Sequence, residues 1–280
     1  MKGILNPRLA SFATTLGTTL LFSVNSHSDN PRNGGELMLG GGYVHSDEPF
    51  DEGISGFRIY MDGRYQWHGL FVESGNIINR QKDKPAVGFN FYNTDHWNFD
   101  LLGTIADDSI DYRYRAGNYI VYRSRSSIAG AGFRAIGTFN NTTIQAMGLP
   151  IASEGSRDDG VLRHASLWLD QKWQINDKWE FKVSLGAQYR SAELLDHKYG
   201  VEPIQADNYI QPYEASDGTD YTAHFELNYA ITDHLFIQPY FNITKFSDSA
   251  MDSPLVKTAI NSFDRSEQER KLGINLNYRF

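Results

Sequence analysis

The chain has 280 residues and a mass of 31.8 kDa, and its 26 basic and 34 acidic residues give a formal net charge of −8. It contains no cysteine, which excludes disulfide scaffolds, thiol catalysis and sulfur-ligated clusters. Aromatic residues make up 14% of the chain although the mean hydropathy is −0.47, and no apolar run reaches the roughly 18 residues of a membrane-spanning helix. Disordered chains and helical membrane proteins are therefore excluded, which leaves soluble all-β domains or a membrane β-barrel.

The first 28 residues have the layout of a secretory signal peptide. Lys2 and Arg8 form a short basic start, residues 9–24 are uncharged, and small residues precede Asp29. Cleavage is predicted before Asp29, with a second candidate site after Ser26; the alternative is a poorly formed first helix. Removal of two cations and no acid would change the formal net charge from −8 to −10. An acidic exported chain without basic runs argues against nucleic acid as a partner and favours the bacterial envelope.

Along the rest of the chain, apolar and polar residues alternate with a period of two. Such runs cover residues 57–67, 97–105, 179–189, 221–229 and 272–280. This period places the apolar side chains on one face of a strand, whereas a helix would scatter them around its axis. The runs are about 9–12 residues long, which is longer than the usual soluble strand and long enough for a tilted strand to cross a bilayer.

Short polar turns and long polar loops alternate between the predicted strands. The turns lie near residues 66–69, 93–96, 140–142, 176–178 and 232–234, and the loops cover residues 47–55, 79–85, 107–127, 150–163, 191–218 and 247–269. Outer-membrane barrels have short periplasmic turns and long external loops. The predicted fold is therefore an all-β transmembrane antiparallel β-barrel of about 12 strands over residues 29–280. Poor alternation near residues 70–74 and 143–148 leaves 10 strands as an alternative.

Tryptophans and the C-terminus carry two further membrane signals. Four of the five tryptophans lie within a residue or two of predicted short turns: Trp67, Trp97, Trp173 and Trp179. At such positions they would form the aromatic girdle of the periplasmic interface. Leu276, Tyr278 and Phe280 end the chain at alternate positions, a pattern that resembles the signal by which outer-membrane proteins are recognised for assembly. The implied partners are the barrel-assembly machinery, outer-membrane lipid and lipopolysaccharide.

Charged residues of the alternating runs are predicted to face the lumen. These candidate lumen residues are Arg58, Arg64, Arg134, Asp170, Lys172, Glu180, Lys182, Arg190, His224, Glu226, Lys271 and Arg279. Because both signs are present, cross-strand ion pairs could close the interior, or the interior could form a narrow pore in which the cationic excess favours anions. About 12 strands enclose a narrower lumen than the 16–18 strands of a general porin.

One long loop differs from the others in composition. Residues 112–125 are rich in tyrosine and arginine, whereas the other long loops are mostly acidic. The tyrosine–arginine segment could hold lipid phosphates or a partner through bidentate and stacking contacts, or it could extend two strands above the membrane.

The sequence contains little that points to catalysis. A lipid-hydrolysing barrel needs a serine beside a histidine that an amide or acid orients. Only His45-Ser46-Asp47 and the region of Ser124 suggest such a site, and these two segments have no evident reason to meet. Metal-ligand spacings and phosphate-binding glycine loops are absent from the sequence, so no enzyme activity, cofactor or metal site is predicted.

Three motifs stand out in the C-terminal third: Tyr199-Gly200-Val201, the acidic Ser-Pro motif Asp252-Ser253-Pro254, and the closing Tyr278-Arg279-Phe280. With these motifs the C-terminal third resembles the MipA/OmpV family of outer-membrane proteins. Glycines 40–42 and Tyr43 loosely resemble the family's opening strand, but the Tyr-x-Gly-Ser element expected next is replaced by Ser46-Asp47-Glu48-Pro49-Phe50. The resemblance implies an outer-membrane barrel. One family member is regarded as a scaffold that joins a lytic transglycosylase to a murein synthase, and others are described as osmotically regulated or adhesive.

The function that the resemblance implies is a non-catalytic scaffold for murein assembly, with a murein hydrolase or synthase as partner. Two alternatives stay open. One is a narrow channel for small, anionic solutes, and the other is a surface protein for adhesion or lipid binding.

Overall fold

A computed structural model describes residues 33–50, 53, 55–75, 82–153, 163–206 and 208–280. The predicted signal peptide, residues 1–28, lies outside these residues. Within the described part of the chain, helices are too short or too polar to span a membrane.

Twelve antiparallel strands form one closed barrel, in which neighbours along the chain pair and the last strand pairs with the first. The strands are β1 (Gly34–Asp47), β2 (Ser55–Trp67), β3 (Leu70–Glu73), β4 (Ala86–Asn93), β5 (Trp97–Asp107), β8 (Ile128–Phe139), β9 (Thr142–Ser153), β10 (His164–Gln174), β11 (Trp179–Arg190), β12 (Gly218–Ala230), β13 (Leu235–Lys245) and β14 (Gln268–Arg279). The prediction of 12 strands is confirmed and the alternative of 10 is wrong. The two weakly alternating segments form β3 and β9, and β3 has only four residues.

Short turns and long connections occupy opposite ends of the barrel, as predicted. The five turns have two to four residues each, and we call their side of the barrel the turn end and the opposite side the loop end. In the turn between β2 and β3, His68 and Gly69 both have positive φ, at 49° and 88°. A two-residue hairpin with this geometry matches the natural twist of the strands that it joins.

The barrel wall has an apolar outer face and a polar inner face. On β2, Phe57 and Ile59 face outward and are 70% and 78% exposed, whereas the next residue, Tyr60, faces inward and is only 5% exposed. The same alternation continues on β10, where Leu167 and Leu169 flank an inward-facing Trp168. Because a strand crossing a bilayer meets lipid on one side only, this alternation is what a transmembrane barrel requires.

Large aromatic side chains on the inner face of the barrel pack against glycines of the neighbouring strand. Trp168 lies over Gly186, Tyr60 over Gly40, and Tyr240 over Gly273, and each pair is a direct cross-strand partner. A Cβ built on any of these glycines would overlap the facing ring. The missing side chain therefore creates the space in which the ring packs flat against the wall.

Four long-connection elements fold over the loop end and form an external cap. They are the hairpin of β6 (Ile110–Ala116) and β7 (Tyr119–Arg125), α1 (Ala192–Tyr199), α2 (Asp248–Met251) and α3 (Pro254–Phe263), joined by a 3-10 turn at Pro203–Gln205. The hairpin is a two-stranded sheet of its own, separate from the barrel sheet. The hairpin and helices bury a common apolar cluster that includes Tyr112, Tyr114, Leu195, Tyr199 and Leu255. Burial of these large side chains stabilises the cap on the barrel.

Candidate functional site

Two arginines and two carboxylates form a buried ion-pair network inside the barrel. Arg134 contacts Glu73 at 2.6 Å and Asp100 at 2.7 Å, and Arg64 contacts the same two carboxylates at 2.8 and 3.1 Å. Asp100 is fully buried, and the guanidinium of Arg64 lies 4.0 Å from the centre of the Phe71 ring. Because each charge has two partners of opposite sign, the network closes this part of the lumen without leaving a buried charge unpaired.

A second polar cluster lies on β11, β12 and β13. Glu226 contacts the ammonium of Lys182 at 3.5 Å and His224 Nε2 at 2.7 Å, and it accepts a hydrogen bond from Gln238 at 3.2 Å. His224 is fully buried. These strands are thus joined across the interior by side chains as well as by their backbone ladders.

Lys82 and Lys84, which shortly precede β4, lie inside the barrel. Lys82 forms an ion pair with Asp170 of β10, which is four strands from β4 around the barrel wall. Lys84 donates a hydrogen bond of 3.1 Å to the carbonyl of Ala106 on β5. Both lysine side chains are almost fully buried. These two side chains therefore narrow the interior.

Helix α1 connects the barrel interior to the cap. Its Leu194 packs into an interior cluster with Ala106, Ile128 and Leu149, and the next residue, Leu195, packs into the cap cluster. At the end of α1 the ammonium of Lys198 lies 2.7 Å from Asp107, which also contacts Arg190 at 3.3 Å. Burial disfavours the charged form of Lys198, but the attraction of Asp107 outweighs it and raises the pKa of Lys198.

Further hydrogen bonds hold the cap elements together. The Tyr112 hydroxyl donates to the Lys198 carbonyl at 2.9 Å, and Arg125 donates to the Gly200 carbonyl at 3.0 Å. Burial, with a smaller contribution from Tyr199, raises the pKa of Tyr112 well above its usual value. Arg123 likewise donates to the Gln205 carbonyl at 2.9 Å, so two arginines of the tyrosine–arginine segment bind backbone carbonyls of the cap.

The two loop motifs that carry the family resemblance meet inside the cap. The Ser253 hydroxyl donates to the Tyr199 carbonyl at 2.7 Å, and both residues are fully buried. Val201 forms a bridge with Tyr213. Pro254 occupies the first turn of α3, whereas Asp252 is exposed and pairs with Lys257 at 2.9 Å.

A cavity of about 380 Å³ occupies the interior toward the turn end. Its rim includes Lys172, Glu180 and Arg279, which lie within a few residues of the short turns or the chain end, and its deeper wall includes Asp62 and Lys182. Acidic and basic side chains both line it. At the loop end, by contrast, α1 and the cap cover the interior.

The candidate lumen residues occupy three kinds of position. Those that line the cavity are Arg64, Arg134, Lys172, Glu180, Lys182, Glu226 and Arg279. Asp170, Arg190 and His224 are buried in the contacts given above, and Lys271 contacts Glu269 and lies 3.8 Å from Glu48. Arg58 is half-buried on the same face of β2 as Tyr60.

Several interior residues were missed at the sequence level. They are Tyr60, Phe71, Glu73, Lys82, Asp100, Asp107, Trp168 and Tyr240. Strand parity could have revealed Asp100, which alternates with the outward Leu101 of β5. Lys82 could not have been found in this way because it lies in a loop, where no alternation marks its direction.

The predicted girdle tryptophans lie at the turn end. Trp67 and Trp173 are exposed, Trp97 packs against Phe139 with ring centres 5.6 Å apart, and Trp179 packs against Tyr229 at 4.6 Å. The remaining tryptophan, Trp168, is the one that faces inward. At the C-terminus, the Phe280 amide donates to the Leu37 carbonyl at 2.9 Å and its ring packs against Tyr278, while Leu276 is exposed on the outer face.

Serine–histidine contacts are sparse in the described residues. Ser124 donates to Asp111 in the cap hairpin, and Ser46 donates to Glu48 at 3.2 Å. His45 Nδ1 lies 2.6 Å from the Ser55 hydroxyl on the outer face of the barrel. Among residues that the structure describes, no group of three or more histidines and carboxylates has the geometry of a metal site.

Comparison with protein families gives a match over most of the chain. The family model described as MltA-interacting protein MipA matches residues 37–280. The chain belongs to the MipA family. This membership and the closed 12-stranded barrel make it a β-barrel of the bacterial outer membrane, with the turn end toward the periplasm and the loop end outside.

Solved structures similar to this MipA-family barrel are outer-membrane barrels of low sequence identity. OmpT of Vibrio cholerae is 6% identical with a TM-score of 0.42, and the match covers 90% of this chain and 99% of that one. NanC porin is 11% identical with a TM-score of 0.43, and the match covers 86% of this chain and 98% of that one. An anion-selective porin from Comamonas acidovorans is 7% identical with a TM-score of 0.43, and the match covers 88% of this chain and 98% of that one. The similarity is too low to say anything about function. None of the curated proteins matches the chain.

Proposed function

We propose that this protein is a non-conducting, non-catalytic outer-membrane barrel that docks a periplasmic partner at its turn end, and that the partner is a murein-processing enzyme. The observation that carries the proposal is the asymmetry of the interior. A cavity with charges of both signs reaches the turn end, whereas α1 and the cap cover the loop end. The description of the family as MltA-interacting supports a protein partner.

The cavity also supplies the surface that the turns lack. Turns of two to four residues offer little area for docking, but a cavity of about 380 Å³ could receive a side chain or a short segment of a partner. Mixed charges on its wall would make such docking specific, because each charge left unpaired in a wrong complex carries a desolvation cost.

The lack of catalysis is part of the proposal. The His45–Ser55 contact supplies a base beside a hydroxyl, but no carboxylate or amide of the described residues is seen to orient the other ring nitrogen. Ser124 is bonded to a carboxylate rather than to a histidine. A nucleophile without an oriented base is a poor catalyst.

Site-specific photo-crosslinking in intact cells tests the docking role. A crosslinker at Lys172 or Glu180, on the cavity rim, should capture a murein hydrolase or synthase. The matched control is Tyr119, which is 78% exposed on the cap hairpin and should give no such product. Capture of partners from Tyr119 alone would favour the adhesion alternative.

Planar-bilayer recording tests the closed interior. The purified barrel should insert without steady conductance, because Lys82–Asp170 and the cap block the path. Steady, anion-selective conductance of the wild-type protein would instead support the channel alternative. Lipid hydrolysis that is lost in Ser55→Ala or Ser124→Ala would overturn the non-catalytic assignment.

A further inference from the structure

An apolar groove of about 480 Å³ runs over the outer surface of the barrel across β10 to β13. Leu167, Leu169 and Leu185 line it, and Ala187 and Ala223 lie between them. In the strand register, Leu185 faces Ala223 and Ala187 faces Tyr221. Small and large side chains therefore alternate across β11 and β12, which leaves a trough in the outer surface.

Two exposed cations lie at the loop end of this groove. Lys245, which lines the groove, is the cross-strand partner of Tyr221 on β12 and of Gln268 on β14. Arg270 is the partner of Ile243, another groove residue. Because cross-strand partners lie on the same face of a sheet, Lys245 and Arg270 are diagonal neighbours on the outer surface.

Among the described residues, these cations form no ion pair that would neutralise them. Within the described part of the chain, neither Lys245 nor Arg270 takes part in an ion pair, and Arg270 contacts only the amide of Gln268, at 3.4 Å. Asp47 faces Arg270 from β1 but forms no ion pair with it. Cations on the lipid-facing side of a barrel are unfavourable unless they meet water or anionic headgroups.

We propose that this groove binds a phosphorylated acyl lipid of the outer leaflet, of the lipid A class. An acyl chain lies in the trough over Ala187 and Ala223, and a phosphate contacts Lys245 and Arg270. Arginine supplies a fork that binds two phosphate oxygens, and lysine adds a point charge beside it. The site is on the outer face of the wall, so it is independent of the partner docking proposed at the turn end.

Native mass spectrometry of the full barrel in detergent, titrated with lipid A, tests the proposal. The wild-type protein should retain lipid A in preference to its dephosphorylated form. The double variant Lys245→Gln/Arg270→Gln should bind lipid A at least about tenfold more weakly, because it loses two charge-assisted contacts. Ala223→Leu, which fills the trough, should also weaken binding. The control Lys257→Gln removes an external cation away from the groove and should leave binding unchanged.

Several outcomes would overturn the assignment. Equal binding by the double variant, or equal binding of dephosphorylated lipid A, would show that the cations do not select a phosphate. Competition by inorganic pyrophosphate together with no effect of Ala223→Leu would indicate a site for free phosphate rather than for a lipid. If the double variant does not fold, Asp47→Asn provides a second test: removal of this acid beside Arg270 should tighten lipid A binding, and weaker binding would contradict the proposal.

Discussion

The hydroxyl of Ser253 donates a hydrogen bond of 2.7 Å to the carbonyl of Tyr199, and this contact joins two loops that are 54 residues apart in the chain. Tyr199 ends α1, which reaches into the barrel, and Ser253 directly precedes α3, which packs in the cap. The bond does not cap α3, because the Ser253 side chain makes no hydrogen bond to its first turn. The serine therefore holds one loop to another.

Ser253→Ala should loosen the cap without unfolding the barrel wall. The change leaves a buried carbonyl without its partner, which costs about 1–3 kcal/mol. Limited proteolysis of the folded protein in detergent should show faster cleavage between α1 and α3 in the variant. The control is Asp252→Asn, next in sequence, which removes only an exposed ion pair. Equal cleavage rates for Ser253→Ala and wild type would contradict the assigned role.

Gly186→Ala should destabilise the barrel because its Cβ would overlap the indole of Trp168. Overpacking of a filled interior costs about 1–3 kcal/mol. Urea unfolding from detergent micelles should therefore show a lower midpoint for this variant. Gly148→Ala is the matched control, since nothing lies within 4 Å of a Cβ built there. Trp168→Leu should partly rescue Gly186→Ala, and a lack of rescue would mean that the ring does not cause the effect.

The cap should loosen at alkaline pH. The pKa of Lys198 is raised in the folded protein, so its contribution is fully present below the unfolded value of 10.5 and is lost as pH rises through the folded pKa. The pKa of Tyr112 is also raised by burial, so folding becomes less favourable above the unfolded value of 10.0, where only the unfolded tyrosine ionises. Protease protection of the cap should thus fall above about pH 10.

Two variants separate these contributions. Lys198→Met should lower protection at neutral pH and flatten its alkaline decline, and Tyr112→Phe should flatten the decline while removing the bond to the Lys198 carbonyl. An alkaline profile that is identical in wild type and both variants would exclude these residues as its cause.

Phe280→Ser should impair assembly in cells more than it impairs stability. In the folded barrel Phe280 is 47% exposed, so its loss removes only part of the surface that a fully buried phenylalanine would cover, and its backbone bond to Leu37 does not depend on the side chain. The amount of folded, outer-membrane protein in cells should fall several-fold, whereas refolding of the purified chain into detergent should be nearly unchanged. If the amount of folded protein in cells and the refolding yield in detergent fall together, the ring contributes to stability instead of to recognition.

Strand positions and faces were predictable because each depends on local information. A strand that crosses a bilayer must be long enough to span it and must turn one face to lipid, so both length and parity appear in the sequence around Phe57 or Leu185. Even β3, with four residues, was placed correctly because a short turn precedes it and a long loop follows it. The strict alternation of short and long connections then determined the ends of the barrel.

The interior was only partly predictable because its contacts join residues that are distant in the chain. Parity identified Arg134 and Glu226 as inward-facing, but it could not show which acids each base would meet. The candidate lumen residues also included no aromatic side chain, although Trp168 and Tyr240 occupy part of the lumen. These rings fit there because a glycine faces each of them on the next strand. That pairing depends on register, which emerges when the strands associate.

The sequence by itself determined that the chain is a membrane barrel of about 12 strands and, for the strongly alternating strands, which face avoids lipid, because the bilayer imposes these features strand by strand. The choice between 12 and 10 strands came from the closed sheet, in which β3 and β9 are both paired. Only the tertiary structure decided that the barrel is covered outside and has a cavity toward the periplasm. Lys82 reaches Asp170 of β10 inside the barrel, and Ser253 reaches Tyr199 from another loop. Such contacts have no periodic signature, since they form only after the closed wall has brought the loops to one end.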